Sequence, residues 1–520
     1  MLTRRSALLA SLAAPLMPSP ALALTDQGGD PRALTNSGPV VGRRHRGINV
    51  FKGIRYGAPT RRFQPPQAPT PWRDSQPAFD YGPASPQRGS EANQSEDCLF
   101  LNVWTPGLDT GRRPVMVYIH GGAYASGSGS HPLYDGTRLA ERGDVVVVTL
   151  NHRLNAFGYA YLARLVPGLE DSGNIGQLDL ILALQWVRDN IAGFGGDPER
   201  VMVFGQSGGG AKIATLMATP AAKGLFHCAA TMSGQQVTAS GPLNATTRAE
   251  AWLKALGLTS GGAHEVINLP VEMLIEAQEI QDPILGYGGL YFGPVLDFRT
   301  LKRHPFYPDA APQGLSLPMI IGNTREETLG FMGHDPKTVG LTWDALPSRL
   351  SPEVMRIDIT PEAVIEAYRQ MHPNWSPDQV LIAATTAGRS WRGAVIEAEE
   401  RAKGGAPAWV YQLDFPGETT SGRVGAFHTA DIPLVFNTLG TRGAPTYGPG
   451  AQAVSDRLSD AFIALARHGD PNHSGLSSWA QYELPQRQTM LFDVEPQMVN
   501  DPRGDERAFF AAIPYIQPGT

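Results

Sequence analysis

Gly205-Gln206-Ser207-Gly208-Gly209 lies between an apolar run, Val201-Met202-Val203-Phe204, and a helix-forming stretch, Ala211 to Met217. The run reads as a buried strand, and the stretch after it as a helix that starts without a conventional cap. A serine on such a strand-to-helix turn takes up a strained backbone, and only small neighbours leave room for it. Glycines at 205 and 209 supply that room, so the turn lifts the Ser207 hydroxyl above the sheet beside backbone N–H groups. That is how a chain presents a nucleophile for acyl transfer.

A nucleophilic serine needs a base, an acid to orient the base, and donors for the oxyanion. Of twelve histidines, His428 fits the base, in Gly425-Ala426-Phe427-His428-Thr429, just beyond an apolar run from Trp409 to Phe415. The acid is expected between serine and histidine in the chain. Glu326 and Glu327 follow the run Pro318 to Ile321 through Gly322-Asn323-Thr324-Arg325, and position does not choose between them. His120-Gly121-Gly122-Ala123, directly after Val115–Ile119, is the second small-residue loop. Its main-chain N–H groups are suited to an oxyanion, where a donor is worth about 2.7–4 kcal/mol.

These loops need a sheet to carry them. Apolar runs at Pro114–Ile119, Asp144–Thr149, Val201–Phe204, Ala229–Met232, Leu317–Ile321 and Ala408–Leu413 read as strands buried on both faces. Helical patterns lie between them, at Leu178–Val187 and along the stripe Val454, Leu458, Phe462 and Leu465, which Gly469 ends. The alternation predicts an α/β layered fold. Residues 235–315 and 330–405 lack strong strand runs and are expected to pass over the carboxyl edge of the sheet, where such folds bind ligands.

The remaining motifs identify a family resemblance. Phe51-Lys52-Gly53-Ile54-Arg55-Tyr56-Gly57, Ser95 to Val103, Gly173-Asn174-Ile175-Gly176-Gln177-Leu178-Asp179 and the segment ending Gly195-Gly196-Asp197-Pro198 stand in the order of the type-B carboxylesterase/lipase family. The chain resembles that cholinesterase-like branch of the α/β-hydrolases from about Val40 to Tyr482. The resemblance implies an α/β-hydrolase fold: a large, mostly parallel central sheet flanked by helices, with helical excursions over the active site. It implies a serine carboxylesterase with Ser207 as nucleophile and His428 as base, and its pattern selects Glu327 as the acid. Gly122, Ala123 and Gly208 would supply the oxyanion donors. Ser233, in Met232-Ser233-Gly234, would support the triad, with Gln206 and Glu326 beside it. Tyr287, Tyr291, Phe292 and Trp391 are candidate pocket aromatics in the excursions. The same triad also serves lipase, amide and carbamate hydrolysis, and some cholinesterase-like domains are non-catalytic binding proteins.

The departures are specific. The family elbow usually reads Gly-Glu-Ser-Ala-Gly, whereas Gln206 and Gly208 stand here. Thr328 occupies a common glycine position. Cys98 lacks the preceding cysteine of a common family disulfide, and Pro86 to Gln94 contains no tryptophan to hold quaternary ammonium, so choline esters are not expected.

Composition narrows the rest. The chain has 520 residues, 42% hydrophobic and 18% charged, with a net charge of −6 and a pI near 6.1. There is no basic footprint for nucleic acid. Arg4-Arg5, the apolar stretch Ala7–Leu16 and Ala21-Leu22-Ala23 read as an export signal over 1–23, resembling the twin-arginine type, and place the protein in the periplasm or outside the cell. Residues 33–517 are expected to form one catalytic domain. No other segment approaches a membrane span. Cys98 and Cys228, the only cysteines, are expected to be free thiols. No cofactor or metal is implied, and the expected partner is a small-molecule ester.

Overall fold

The computed structural model describes residues 29–332, 335 and 337–517; the export signal expected over 1–23 lies outside them. Its centre is an eleven-stranded sheet. In chain order the strands are β1 (Arg43–His45), β2 (Ile48–Arg55), β3 (Phe100–Thr105), β4 (Arg113–Ile119), β5 (Val146–Leu150), β6 (Gly196–Gln206), β7 (Cys228–Met232), β8 (Met319–Thr324), β9 (Ala408–Leu413), β10 (Gln488–Phe492) and β11 (Gln497–Asn500). Across the sheet they run β11-β10-β9-β8-β7-β6-β4-β5-β3-β2-β1. The strands from β5 through β4 to β10 are mutually parallel. The outer pairs β1–β2, β2–β3, β3–β5 and β10–β11 are antiparallel.

Strand alternation splits the apolar residues between two cores. Val115, Val117, Ile119, Val201 and Val203 face one side, where Leu180, Leu184 and Val187 of helix α1 (Ile175–Asn190) and Ile213 and Leu216 of helix α2 (Gly208–Ala218) cover them. Met116, Tyr118, Met202 and Phe204 face the other, against Leu458, Phe462 and Leu465 of helix α3 (Ala451–His468). Fully burying one such side chain contributes about 1.5–3 kcal/mol, and a one-residue slip would exchange the two faces. Helix α3 stops at Gly469, which takes the left-handed conformation and donates its N–H to the Leu465 carbonyl. Cys98 and Cys228 are both free and buried, one in each core.

Several boundaries differ from the sequence expectation: the run Val201–Phe204 extends to Gly196–Gln206 as β6, the helical pattern Leu178–Val187 to Ile175–Asn190 as α1, and three further cases have a local cause. Strand β5 begins at Val146 because Asp144, at φ 41°, ends the helix Thr137–Gly143. Strand β8 starts at Met319, since the Leu317 N–H closes a turn onto the Gly314 carbonyl. Helix α2 begins at Gly208 rather than Ala211, despite the low helix propensity of three successive glycines. Close packing accounts for this: a Cβ on Gly209 would lie 2.0 Å from the Ile119 carbonyl oxygen, and one on Gly210 would lie 2.8 Å from that of Gly234.

The stretch 235–315 contains the helix Pro242–Ala255, and 330–405 contains Pro361–Met371, Pro377–Thr386 and Arg392–Lys403. Each excursion has its own apolar cluster, around Trp252 and Phe292 in the first and around Tyr368 and Leu381 in the second. A π-helical turn, Ala387–Trp391, joins the last two helices. Among the described residues no helix is long and apolar enough to cross a membrane.

Candidate active site

Strand order reverses around β4, whose neighbours are β5 and β6, and the carboxyl ends of β4 and β6 lie side by side, with Ile119 opposite Gly205. Such a switch point opens a crevice above the sheet. Ser207 sits there at φ 56°, ψ −126°, between β6 and α2. That conformation is sparsely populated for a residue with a side chain. The surroundings enforce it: Ser207 N–H donates to the Met232 carbonyl at 2.7 Å, and a Cβ on Gly205 would meet the Gly209 backbone at 2.7 Å. The neighbouring strand ends place Ser233 at the same edge, its N–H donating to the Gly322 carbonyl at 2.7 Å.

Glu326 and Glu327 have different tasks. Glu326 ties the loop after β8 to the histidine loop: its N–H donates to the Ala426 carbonyl, and its Oε2 accepts from the Ala426 N–H, both at 2.9 Å. That tie sets the next residues, Glu327 and His428, side by side. Glu327 Oε2 lies 2.5 Å from His428 Nδ1, while its Oε1 accepts from Thr324 N–H at 2.8 Å and Asn323 Nδ2 at 3.2 Å. Burial opposes ionisation of Glu327, but the charge and hydrogen bond of His428, with Ser233 and the Thr324 N–H, hold its carboxyl below the ordinary value. The Ser233 hydroxyl adds to that field although its Oγ makes no well-formed hydrogen bond. Gln206, the departure from the family glutamate, brings its Nε2 to 3.2 Å and 3.4 Å from the two ring nitrogens of His428. Thr328 donates to the Ile382 carbonyl at 3.0 Å, pinning this loop to the helix Pro377–Thr386.

The loop after β4 turns back over Ser207 through Gly122 at φ 85° and Ala123 at φ 52°. Among the described residues no acceptor is bonded to the N–H groups of Gly122, Ala123 or Gly208. Three free donors from two loops therefore border Ser207. Gly208 is required by the approach of those loops, since a Cβ there would lie 2.0 Å from the Ala123 carbonyl oxygen. A residue not anticipated from sequence holds that carbonyl: Lys212, fully buried on α2, donates through Nζ to Ala123 O at 2.8 Å and to His120 O at 3.2 Å. Burial pulls the Lys212 ammonium down to about 7, and burial with the Lys212 charge pulls the His120 imidazole down to about 3. The sequence signal that could have found it is a lone lysine in the largely apolar stretch Ala211–Met217.

Ala123, Ser207, Gly208, Ser233, Glu327 and His428 line one cavity of about 170 Å³. Of the four candidate aromatics, Tyr291 lines it. Tyr287 stands near Arg389 but off the cavity wall. Phe292 packs in the core against Trp252, ring centroids 5.7 Å apart, and Trp391 lies in a separate cleft under Arg503. Tyr124, Gln236, Phe331, Arg356 and Arg389 line the cavity without having been anticipated; single residues in irregular segments carry no sequence pattern. Phe331 packs on His428 with centroids 5.0 Å apart. Among the described residues no cluster of three or more His, Cys, Asp or Glu is placed to hold a metal.

The arrangement combines a hydroxyl on a strained turn, an imidazole bonded to a buried carboxylate, and free N–H donors, which is the equipment for acyl transfer. The model of the Carboxylesterase family matches residues 29–510. The chain is 34% identical to the para-nitrobenzyl esterase of Bacillus subtilis, over 91% of this chain and 97% of that protein. It is 31% identical to the phenmedipham hydrolase of Pseudarthrobacter oxydans, over 87% and 93%. The solved structure of the Geobacillus stearothermophilus carboxylesterase EST55 superposes with a TM-score of 0.82 at 34% identity, covering 92% of this chain and 99% of that one. With its α/β-hydrolase fold and this match along almost its whole described length, the chain belongs to the carboxylesterase family and is a carboxylic ester hydrolase.

Proposed function

We propose that this protein hydrolyses small carboxylic esters in two steps through an acyl-enzyme on Ser207, with His428 as general base and Glu327 as the orienting acid. The observation that carries the reading is the 2.5 Å contact of Glu327 Oε2 with His428 Nδ1 beside a serine at φ 56°. Ser207 Oγ attacks the ester carbonyl while His428 Nε2 accepts its proton. The oxyanion is met by the N–H groups of Gly122, Ala123 and Gly208. Collapse expels the alcohol, protonated by His428, and leaves the acyl group on Ser207. Water, deprotonated by the same histidine, then releases the acid. Glu327 stays ionised, which its lowered pKa favours, and fixes the imidazole tautomer. Ser233 supports the Glu327 carboxylate, Gln206 braces the imidazole and Glu326 holds the histidine loop.

The proposal includes export by the segment 1–23, a periplasmic or secreted location, and one catalytic domain over 33–517. The direct test is a fluorophosphonate probe with intact-mass analysis. A single adduct on Ser207, lost in Ser207→Ala together with a fall of several orders of magnitude in nitrophenyl ester turnover, supports the assignment. Unlabelled wild type, or a Ser207→Ala variant with undiminished turnover, overturns it.

A further inference from the structure

Two guanidinium groups, Arg356 and Arg389, line the cavity that holds Ser207, and among the described residues neither has a carboxylate partner. Among the described residues the one acid on the cavity wall is Glu327, already bonded to His428. The fully buried arginines have anionic or carbonyl partners, Arg153 on Asp179, Arg248 on Asp282 and Arg401 on the carbonyls of Gly314 and Pro407, although Arg248 Nη2 and Arg401 Nε are left without one. Arg356 Nε is buried without a hydrogen-bond partner. Arg389 stacks on the ring of Phe331, its Cζ 4.9 Å from the centroid, and among the described residues it makes no salt bridge. Burial, then the like charge of Arg356, pulls the Arg389 guanidinium down to about 10 against the opposing effects of Glu327 and Tyr287. Both arginines are half-buried, and a charge partly withdrawn from water without a partner carries a desolvation cost.

The backbone at both positions is irregular. Arg356 sits at φ 55°, in the left-handed region that a side chain disfavours, and Arg389 belongs to the π-helical turn Ala387–Trp391. Such conformations recur at functional sites because they redirect a side chain at a cost in stability. The same π turn brings Ser390 Oγ to 2.6 Å from Asn323 Nδ2, which also bonds Glu327. The cationic wall is thus built into the framework of the catalytic groups.

Resting on the serine-esterase reading above, we propose that the pocket selects esters that carry a second, free carboxylate, with Arg356 and Arg389 as its anion-binding pair. Monoesters of dicarboxylic acids are the simplest such substrates. Guanidinium groups fit a carboxylate through paired, charge-assisted hydrogen bonds, and these strengthen where water is scarce. The anion has a second effect. Phe331 contacts both Arg389 and His428, so a guanidinium with no salt bridge among the described residues stands near the imidazole that must become positive as Ser207 loses its proton. A substrate carboxylate on Arg389 neutralises that charge and favours the transition state as well as binding.

The test compares monoethyl glutarate with diethyl glutarate, which share the reacting ester and differ in the far carboxylate. For the wild type the ratio of kcat/KM, monoester over diester, is expected to exceed about ten. It should fall by about tenfold or more in Arg356→Gln and in Arg389→Gln, with Arg389→Lys retaining part of the preference. Added sodium chloride should lower the wild-type ratio, and free glutarate should inhibit nitrophenyl acetate hydrolysis competitively; both readings hold even if a variant does not fold. A wild type that hydrolyses the diester without preferring the monoester, or a ratio unchanged in both glutamine variants, overturns the anion inference alone. A wild type that turns over neither ester and takes no fluorophosphonate overturns the esterase reading, and this inference with it.

Discussion

Replacing Gly208 by alanine should lower kcat by about 10²–10³-fold, although alanine is the residue the family usually carries there. A Cβ at 208 would lie 2.0 Å from the Ala123 carbonyl oxygen and 2.5 Å from the Ala123 carbonyl carbon and Cα. An ordinary carbon–oxygen contact is about 3.3 Å or longer, so the two backbones must separate by more than about 1 Å. Neither side yields easily. Ala123 is held at φ 52° with its carbonyl on Lys212 Nζ at 2.8 Å, and Gly208 opens a helix packed against Ile119. The displaced element carries the proposed oxyanion donors, and losing one such donor raises the barrier by about 2.7–4 kcal/mol. Overpacking should also lower stability by about 1–3 kcal/mol. The assay is steady-state hydrolysis of nitrophenyl butyrate with a thermal melt alongside. The fall is expected in kcat more than in KM, because the donors act on the developing oxyanion rather than on the ground-state ester. A kcat within about threefold of wild type and an unchanged melt would refute the argument that this loop is rigidly held in contact with Gly208.

The two glutamates separate in the same assay. Glu327→Gln should cost roughly 10³–10⁴-fold in kcat, since an amide cannot hold the imidazole tautomer or offset its charge. Glu326→Gln should cost far less because its oxygen can still accept from Ala426 N–H, and a larger loss there would reverse the assignment. A third prediction concerns pH and stability. Glu397 is fully buried beside the site, its Oε1 accepting from Gln236 N–H at 2.8 Å, and burial pushes its carboxyl up to about 8 against the opposing effects of Gln236 and Arg401. A raised carboxyl favours the folded state below its unfolded value and loses that contribution as pH climbs through about 8. The melting temperature of Glu397→Gln relative to wild type should therefore rise from about pH 5 to about pH 8 and then level off, and a flat difference would show that Glu397 ionises normally.

Much of the framework was legible in the chain itself. Runs such as Val115–Ile119 and Val201–Phe204 are apolar at every position, which only a strand covered on both faces explains, and the structure buries them in two cores. The elbow was legible because its requirement is local: glycines at 205 and 209 are needed wherever a backbone must pass within 3 Å of another. Boundaries were less legible where a single residue decides them, as Asp144 does by turning left-handed before β5.

The sequence alone determined the layered α/β architecture, the family, and the small-residue loops proposed to bear the reacting groups, because periodicity and small-residue turns are properties of neighbours in the chain. The choice between Glu326 and Glu327 was open on position and needed either the family pattern or the hydrogen bonds across the Ala426 strap. The pocket wall belonged to tertiary structure altogether. Phe292 and Trp391 pack elsewhere, while among the described residues Lys212 has no counter-ion under the Gly122–Ala123 loop and Arg356 and Arg389 have no salt bridge in the cavity. Whether a charge is paired depends on residues brought together from distant parts of the chain, and no spacing along the sequence records that.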